Sequence, residues 1–209
     1  MKPFSGALVI CDCDGVLFDS ELANIGYYNA VLEVLGEPEL GTEGRHHAHR
    51  LATPQMFEWV FAGKPERIAD ALRVARELDY TPFLGQLEPV AELFSTLRWL
   101  KERYRTAMAT NRGATIPTMV EKFGLDAWFD LIVGTHDVNR PKPAPDMLLL
   151  CLEHAGVGPG QAVFVGDSPS DLAAARAAEI RFIAVGSQVE GDEHIEEFRH
   201  LPDVLIRAS

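Results

Sequence analysis

After about residue 86, two hydrophobic periodicities alternate along the chain. Short apolar, β-branched runs occur at Arg105–Thr110, Leu131–Thr135, Ala162–Gly166 and Arg181–Gly186, with a fifth far upstream at Ala7–Asp12 and a weak sixth at Val204–Ile206. These runs lack strict apolar–polar alternation, the pattern expected of parallel strands covered on both faces. Between them the period changes to that of a helix. Val90, Leu93, Phe94, Leu97 and Leu100 form one stripe; Ile116, Met119, Val120 and Phe123 form another, ended by Gly124. Met147, Leu148, Cys151, Leu152 and Ala155 form a third, ended by Gly156. Ser168-Pro169-Ser170-Asp171 reads as an N-cap, a proline at the first helical position and an acidic third position. Strand–helix alternation of this kind predicts an α/β fold, a parallel sheet with helices on both faces.

The stretch from 19 to 85 breaks that rhythm. Leu22, Ile25, Tyr28, Val31, Leu32 and Leu35 share one helical face, and Ile68, Ala71, Leu72, Ala75 and Leu78 share another. Pro38, Gly41, Gly44, Pro54, Gly63 and Pro65 punctuate the segment, and no strand pattern occurs within it. The expectation is a small α-helical cap (19–85) inserted into a core domain formed by 1–18 and 86–209. Segments 17–20 and 83–86 would then be its hinges.

The 209 residues carry 19 Lys+Arg and 31 Asp+Glu, a formal charge of −12. That balance excludes a nucleic-acid binder, whose phosphate contacts require clustered cations. No stretch approaches the roughly 20 apolar residues of a membrane span. The N-terminal apolar run ends in acidic residues rather than a small-residue cleavage site, so it reads as a strand and not a signal peptide. Cys11, Cys13 and Cys151 are too few for a disulfide framework, and the expected setting is the reducing cytoplasm. Nothing in the sequence specifies an oligomeric state.

In an open parallel sheet, ligands bind beyond the carboxyl ends of the strands. The residues that follow the apolar runs are Asp12-Cys13-Asp14-Gly15, Thr110-Asn111 and Gly166-Asp167-Ser168, with Lys142 in the proline-rich segment Arg140–Pro145. Asp12 and Asp14, two apart, start on the same side. Together with Asp167 they would repel one another unless a cation sits among them or one is protonated. An all-oxygen donor set suits Mg²⁺, which in turn favours phosphate oxygens. Lys142 and the Thr110 hydroxyl would serve the remaining phosphate oxygens.

In chain order the segments VICDCDGVLFDS, AMATN, RPKPAPDM and VFVGDSPSD resemble the four motifs of the haloacid dehalogenase superfamily. The placement of the insertion is similar to the helical-cap branch that contains phosphoglycolate phosphatases and β-phosphoglucomutases. The resemblance implies a Rossmann-like core and a Mg²⁺-dependent phosphatase acting on a small phosphorylated metabolite through an aspartyl-phosphate. Asp12 would be the nucleophile and Asp14 the acid and base. The metal would be held by an Asp12 oxygen, the Asp14 main-chain carbonyl and Asp167, with Asp171 as a further or supporting ligand. Thr110, the Asn111 backbone amide and Lys142 would face the transferring phosphoryl group. Val16 departs from the Thr common at its position. Asp14 argues against a true dehalogenase, and Arg112 adds a cation with no assigned use.

Other readings compete. Cys11 and Cys13 lack zinc spacing and read as small apolar filling, while Ser168 and Asp171 also read as helix caps. The basic cluster Arg45-His46-His47-Ala48-His49-Arg50 is either a solvated helix face or the part of the cap that meets the substrate's leaving group. In the second case Arg45, His47 and Arg50 bind substrate. A phosphosugar mutase of the β-phosphoglucomutase type is the alternative activity. A receiver-like phosphate-binding module fits less well, because its phosphorylated Asp follows the third strand rather than the first.

Overall fold

The computed structural model describes residues 8–48, 51 and 53–207. The chain divides into two compact units, Met1–Phe18 with Pro89–Ser209, and Asp19–Glu88. It begins with β1 (Leu8–Cys11) and passes through a short strand, β2 (Phe18–Asp19), into α1 (Glu21–Val34), α2 (Thr42–His47), α3 (Thr53–Val60) and α4 (Pro65–Glu77). A second short strand, β3 (Glu88–Pro89), forms a two-stranded sheet with β2. There follow α5 (Leu93–Lys101), β4 (Arg105–Ala109), α6 (Ile116–Phe123), β5 (Leu131–Val133) and α7 (Asp146–Ala155). The chain ends with β6 (Ala162–Gly166), α8 (Pro169–Ala177), β7 (Arg181–Val185), β8 (Glu193–Ile195) and α9 (Leu201–Arg207).

The main sheet has the order β5-β4-β1-β6-β7-β8, and every pairing in it is parallel. β1 lies in the middle, its Leu8 opposite both Arg105 and Ala162 and its Cys11 opposite both Met108 and Val165. All four of its residues are buried, which is why its sequence shows no alternation. On one face Leu8, Ile10, Ala107, Phe164 and Phe182 pack with Met147, Leu148 and Cys151 of α7 and Ala174 and Ala175 of α8. α5 packs against β4 and α9, burying Leu93, Leu97, Leu100, Leu201 and Leu205. Each such leucine contributes about 1.5–3 kcal/mol over its exposed state.

The sixth strand is not where the sequence pattern placed it. Val204–Ile206 lies inside α9, where Leu201 and Leu205, four apart, are buried on one helical face. The strand is instead β8, pairing Ile183 with Glu193 and Val185 with Ile195. It is a three-residue edge strand in which only Ile195 is buried, and the polar Glu193 and His194 hide the pattern.

The Asp19–Glu88 unit is helical and has its own core. Tyr28, Val31 and Leu32 of α1 pack with Met56 and Phe57 of α3 and Ala71, Val74 and Ala75 of α4. Leu22, at the start of the α1 stripe, is 60% exposed. No helix among the described residues is long and apolar enough to cross a membrane.

Candidate active site

The site is assembled from the loops that leave β1, β4, β5 and β6. Asp12 N–H donates to Val165 O at 2.9 Å, extending the β1–β6 ladder by one residue beyond the strand. The chain then turns, with Leu17 and Phe18 N–H groups both donating to Cys13 O and Gly15 N–H donating to Phe18 O. Gly15 has φ +75°, and a Cβ built there would lie 2.0 Å from Asp167 Oδ2. Conformation and close approach therefore both require glycine, and its absent side chain lets the β1 loop meet the β6 loop.

Beyond β4, the Thr110 N–H donates to Val133 O and its side chain is buried. The Asn111 carboxamide clasps the backbone of Lys142 from both directions: Nδ2 donates to Lys142 O at 3.0 Å, and Oδ1 accepts from Lys142 N–H at 3.1 Å. Arg140 forks onto Asp146 in the first turn of α7, fixing the other side of the proline-rich segment. So held, Lys142 points its ammonium inward. It donates to Asp12 Oδ1 at 2.7 Å, Asp171 Oδ1 at 2.6 Å and Ala109 O at 2.9 Å. An ammonium has three hydrogens, and these three acceptors engage all of them.

Beyond β6, Ser168 and Asp171 form the capping box read from the sequence. Ser168 Oγ accepts from Asp171 N–H, and Asp171 Oδ2 accepts from Ser168 N–H. The same Oδ2 accepts from Ser168 Oγ and Asp167 N–H. Asp171 is fully buried, with one oxygen committed to the helix start and the other to Lys142. A Cβ on Gly166 would lie 2.6 Å from Asp171 Cβ, so that glycine too makes room for the site.

One carboxylate oxygen from each of Asp12, Asp167 and Asp171 lies within 4.8 Å of the others. Burial, then Asp171, pushes Asp12 well above the usual carboxylate range, against the opposing pull of Lys142. Burial and Asp171 push Asp167 up to about 7. Burial disfavours the Lys142 cation, but Asp12 and Asp171 outweigh it and hold its pKa above the usual lysine value. One ammonium among two buried carboxylates and one half-buried carboxylate leaves excess negative charge, and the donors are hard oxygens. Such a set fits Mg²⁺.

Asp14, also read as part of this group, turns its side chain elsewhere. Arg112 Nε donates to Asp14 Oδ2 at 2.8 Å and Arg112 Nη2 to Asp14 Oδ1 at 2.6 Å. The sequence showed Arg112 as an extra cation but carried no signal for this pairing, nor for the Asn111 clasp. Both depend on how loop side chains point, which periodicity does not encode. Arg45 and His47 lie in α2 of the helical unit, where Arg45 Nε donates to Leu40 O at 3.2 Å and the His47 ring is 4.8 Å from that of Trp59. Arg50 lies outside the described residues.

The profile of the haloacid dehalogenase-like hydrolases matches residues 9–185. This chain belongs to that family. Among relatives of haloacid dehalogenase-like hydrolase type, it is 31% identical over 188 residues to phosphoglycolate phosphatase 1 of Pseudomonas aeruginosa, covering 85% of this chain and 68% of the relative. It is 25% identical over 202 residues to pyrophosphatase PpaX of Halalkalibacterium halodurans, covering 96% and 92%. A crystal structure of a HAD-superfamily hydrolase, subfamily IA, from Geobacter sulfurreducens matches with TM-score 0.78 at 32% identity, covering 98% of this chain and all of the other. The protein is thus a haloacid dehalogenase-like hydrolase of the phosphatase branch, with the Rossmann-like α/β sheet of that family.

Proposed function

We propose that the protein is a Mg²⁺-dependent phosphatase that hydrolyses a small phosphorylated metabolite through an aspartyl-phosphate on Asp12. The observation that carries this reading is the cluster of buried Asp12, Lys142 and Asp171 with half-buried Asp167 beyond the ends of central strands. Residues 19–85 would act as a cap on the core formed by 1–18 and 86–209. The three free, buried thiols support the expectation of a reducing, cytoplasmic setting.

Asp12 and Asp167 are the carboxylates best placed to hold Mg²⁺, since both oxygens of Asp171 already accept hydrogen bonds. When bound, the ion neutralises charge on the carboxylates and on a phosphoryl oxygen. Lys142 fixes the orientation of the Asp12 carboxylate and favours its ionised, nucleophilic form. A carboxylate oxygen of Asp12 attacks phosphorus, the P–O bond to the leaving group breaks, and the leaving oxygen takes a proton from Asp14. Asp14 then removes a proton from water, whose oxygen attacks phosphorus and breaks the bond to Asp12. The proton gained by Asp14 is the one the next turnover needs. With its three hydrogens engaged, Lys142 acts on the phosphoryl group through its charge. The Thr110 hydroxyl and the Asn111 amide are the neighbouring donors.

Phosphate release from a panel of phosphorylated metabolites, with Mg²⁺, tests the reading. Asp12→Asn is expected to abolish turnover and transfer of labelled phosphoryl to the protein. Substantial residual activity in that variant would defeat the mechanism.

A further inference from the structure

We propose that Arg112 selects substrates carrying a second anionic group beside the phosphoryl ester, and that this group exchanges with Asp14 for the Arg112 guanidinium. The proposal deepens the function proposed above and rests on Asp14 being the acid and base of that reaction.

Arg112 is placed with unusual care for a loop cation. Its backbone N–H donates to Thr110 Oγ1 at 3.2 Å, tying it to a residue of the site. Its carbonyl accepts from Thr135 N–H at 2.9 Å. A Cβ on Gly134 would lie 2.7 Å from that carbonyl oxygen, so the β5 loop carries glycine where it passes Arg112. The Arg112 side chain is only 9% exposed, whereas that of Asp14 is 33% exposed. A rigid, largely covered guanidinium therefore faces a more accessible carboxylate.

The guanidinium fork matches carboxylates and phosphates in the same two-bond geometry. Asp14 occupies that geometry with both of its oxygens. While it does so, both oxygens are held by the guanidinium rather than turned toward a leaving group. A carboxylate or second phosphoryl group on the substrate can replace Asp14 on the fork, one charge-assisted pair for another. The displaced Asp14 carboxylate, two residues from Asp12, then becomes available for proton transfer. Binding energy from a part of the substrate that does not react would thus be used to set up the reacting centre. Neutral substrates would leave Asp14 on Arg112 and react more slowly.

Two phosphate esters of glycolic acid test this, one with a free carboxylate and one with the carboxylate converted to an amide. With Mg²⁺, the wild-type protein is expected to show at least a tenfold higher kcat/KM for the carboxylate. In Arg112→Gln that ratio should fall toward one, and in Arg112→Lys, which keeps the charge without the fork, it should be intermediate. Calorimetry supplies a readout independent of turnover. Phosphonoacetate, which cannot be hydrolysed, should bind Arg112→Gln at least tenfold more weakly than wild type, while methylphosphonate should lose much less. Equal wild-type rates on the two esters would overturn the proposal. So would an Arg112→Gln variant that retains the wild-type ratio or loses affinity equally for both phosphonates. No phosphate release from any member of the metabolite panel, these esters included, with phosphonoacetate still discriminating between wild type and Arg112→Gln, would instead defeat the phosphatase reading and leave the anion selectivity of Arg112 supported.

Discussion

Asp171 Oδ1 lies 2.6 Å from Lys142 Nζ, and neither side chain is more than 2% exposed. The pair joins the start of α8 to the loop after β5, and Lys142 extends it to Asp12. Asp171→Ala leaves Lys142 paired with Asp12 but removes one charged hydrogen bond and the capping box of α8, a cost of about 2–4 kcal/mol together. Tm should accordingly fall by roughly 4–16 °C for a chain of this size. Thermal unfolding followed by circular dichroism checks it; a Tm within a degree of wild type would show the pair to be dispensable.

Gly15→Ala should damage metal binding as well as stability. The added methyl meets Asp167 Oδ2 in a backbone conformation that disfavours any side chain. Strain of this kind costs about 1–3 kcal/mol. The expected result is a lower Tm together with a higher Mg²⁺ requirement, read by titrating activity against the ion. A change in Tm alone would mean that Asp167 moves aside without consequence for the metal.

Chelation by EDTA should remove phosphatase activity, and excess Mg²⁺ should restore it. Asp167→Asn should shift the Mg²⁺ titration to higher concentration with little change in KM for substrate. Activity that survives exhaustive chelation would rule out the metal role assigned to Asp12 and Asp167.

Asn111→Ala removes both hydrogen bonds to the Lys142 backbone while leaving the lysine itself in place. Two such bonds contribute about 1–3 kcal/mol together. Rates should fall through looser placement of Lys142, so kcat should drop more than KM rises. Steady-state kinetics on one substrate separates the two parameters.

Asp192 links stability to pH at a place remote from the site's chemistry. A hydrogen bond from Phe182 N–H, assisted by Arg176 Nη1 shared between both carboxylate oxygens, holds its carboxyl below the usual carboxylate range. A folded-state pKa below the unfolded value adds stability above the unfolded pKa and loses it as pH falls through the folded one. Asp192→Asn should therefore be less stable than wild type near neutral pH, with the difference shrinking in acid below the unfolded carboxylate pKa. Urea unfolding at a series of pH values checks the trend; a difference that grows toward acid would reverse the assignment.

Much of the sheet is legible in the sequence because its strands are buried on both faces. Ala162–Gly166 and residues 182–185 are continuous apolar runs for that reason, and the residues that follow the central strands are where open-sheet chemistry collects. The capping box at Ser168 is equally legible, since it depends on residues three apart in one helical turn. β8 escaped because it is a three-residue edge strand with a single buried residue, Ile195. The Arg112–Asp14 fork spans 98 positions and the Asn111 clasp 31. Both are fixed by loop side-chain directions that only the assembled sheet defines.

The placement of β1 also orders events in time. Its two neighbours, β4 and β6, are encoded roughly 100 and 150 residues later, and Lys142 lies 130 positions after Asp12. During synthesis the Asp19–Glu88 helices, whose core contacts are internal, can consolidate while Leu8–Cys11 still waits for partners. Contacts of such long separation form slowly. Amide protection of Leu8–Cys11 in refolding should therefore appear no earlier than that of Ala162–Gly166, so the central strand gains its protection only with partners encoded far downstream of it.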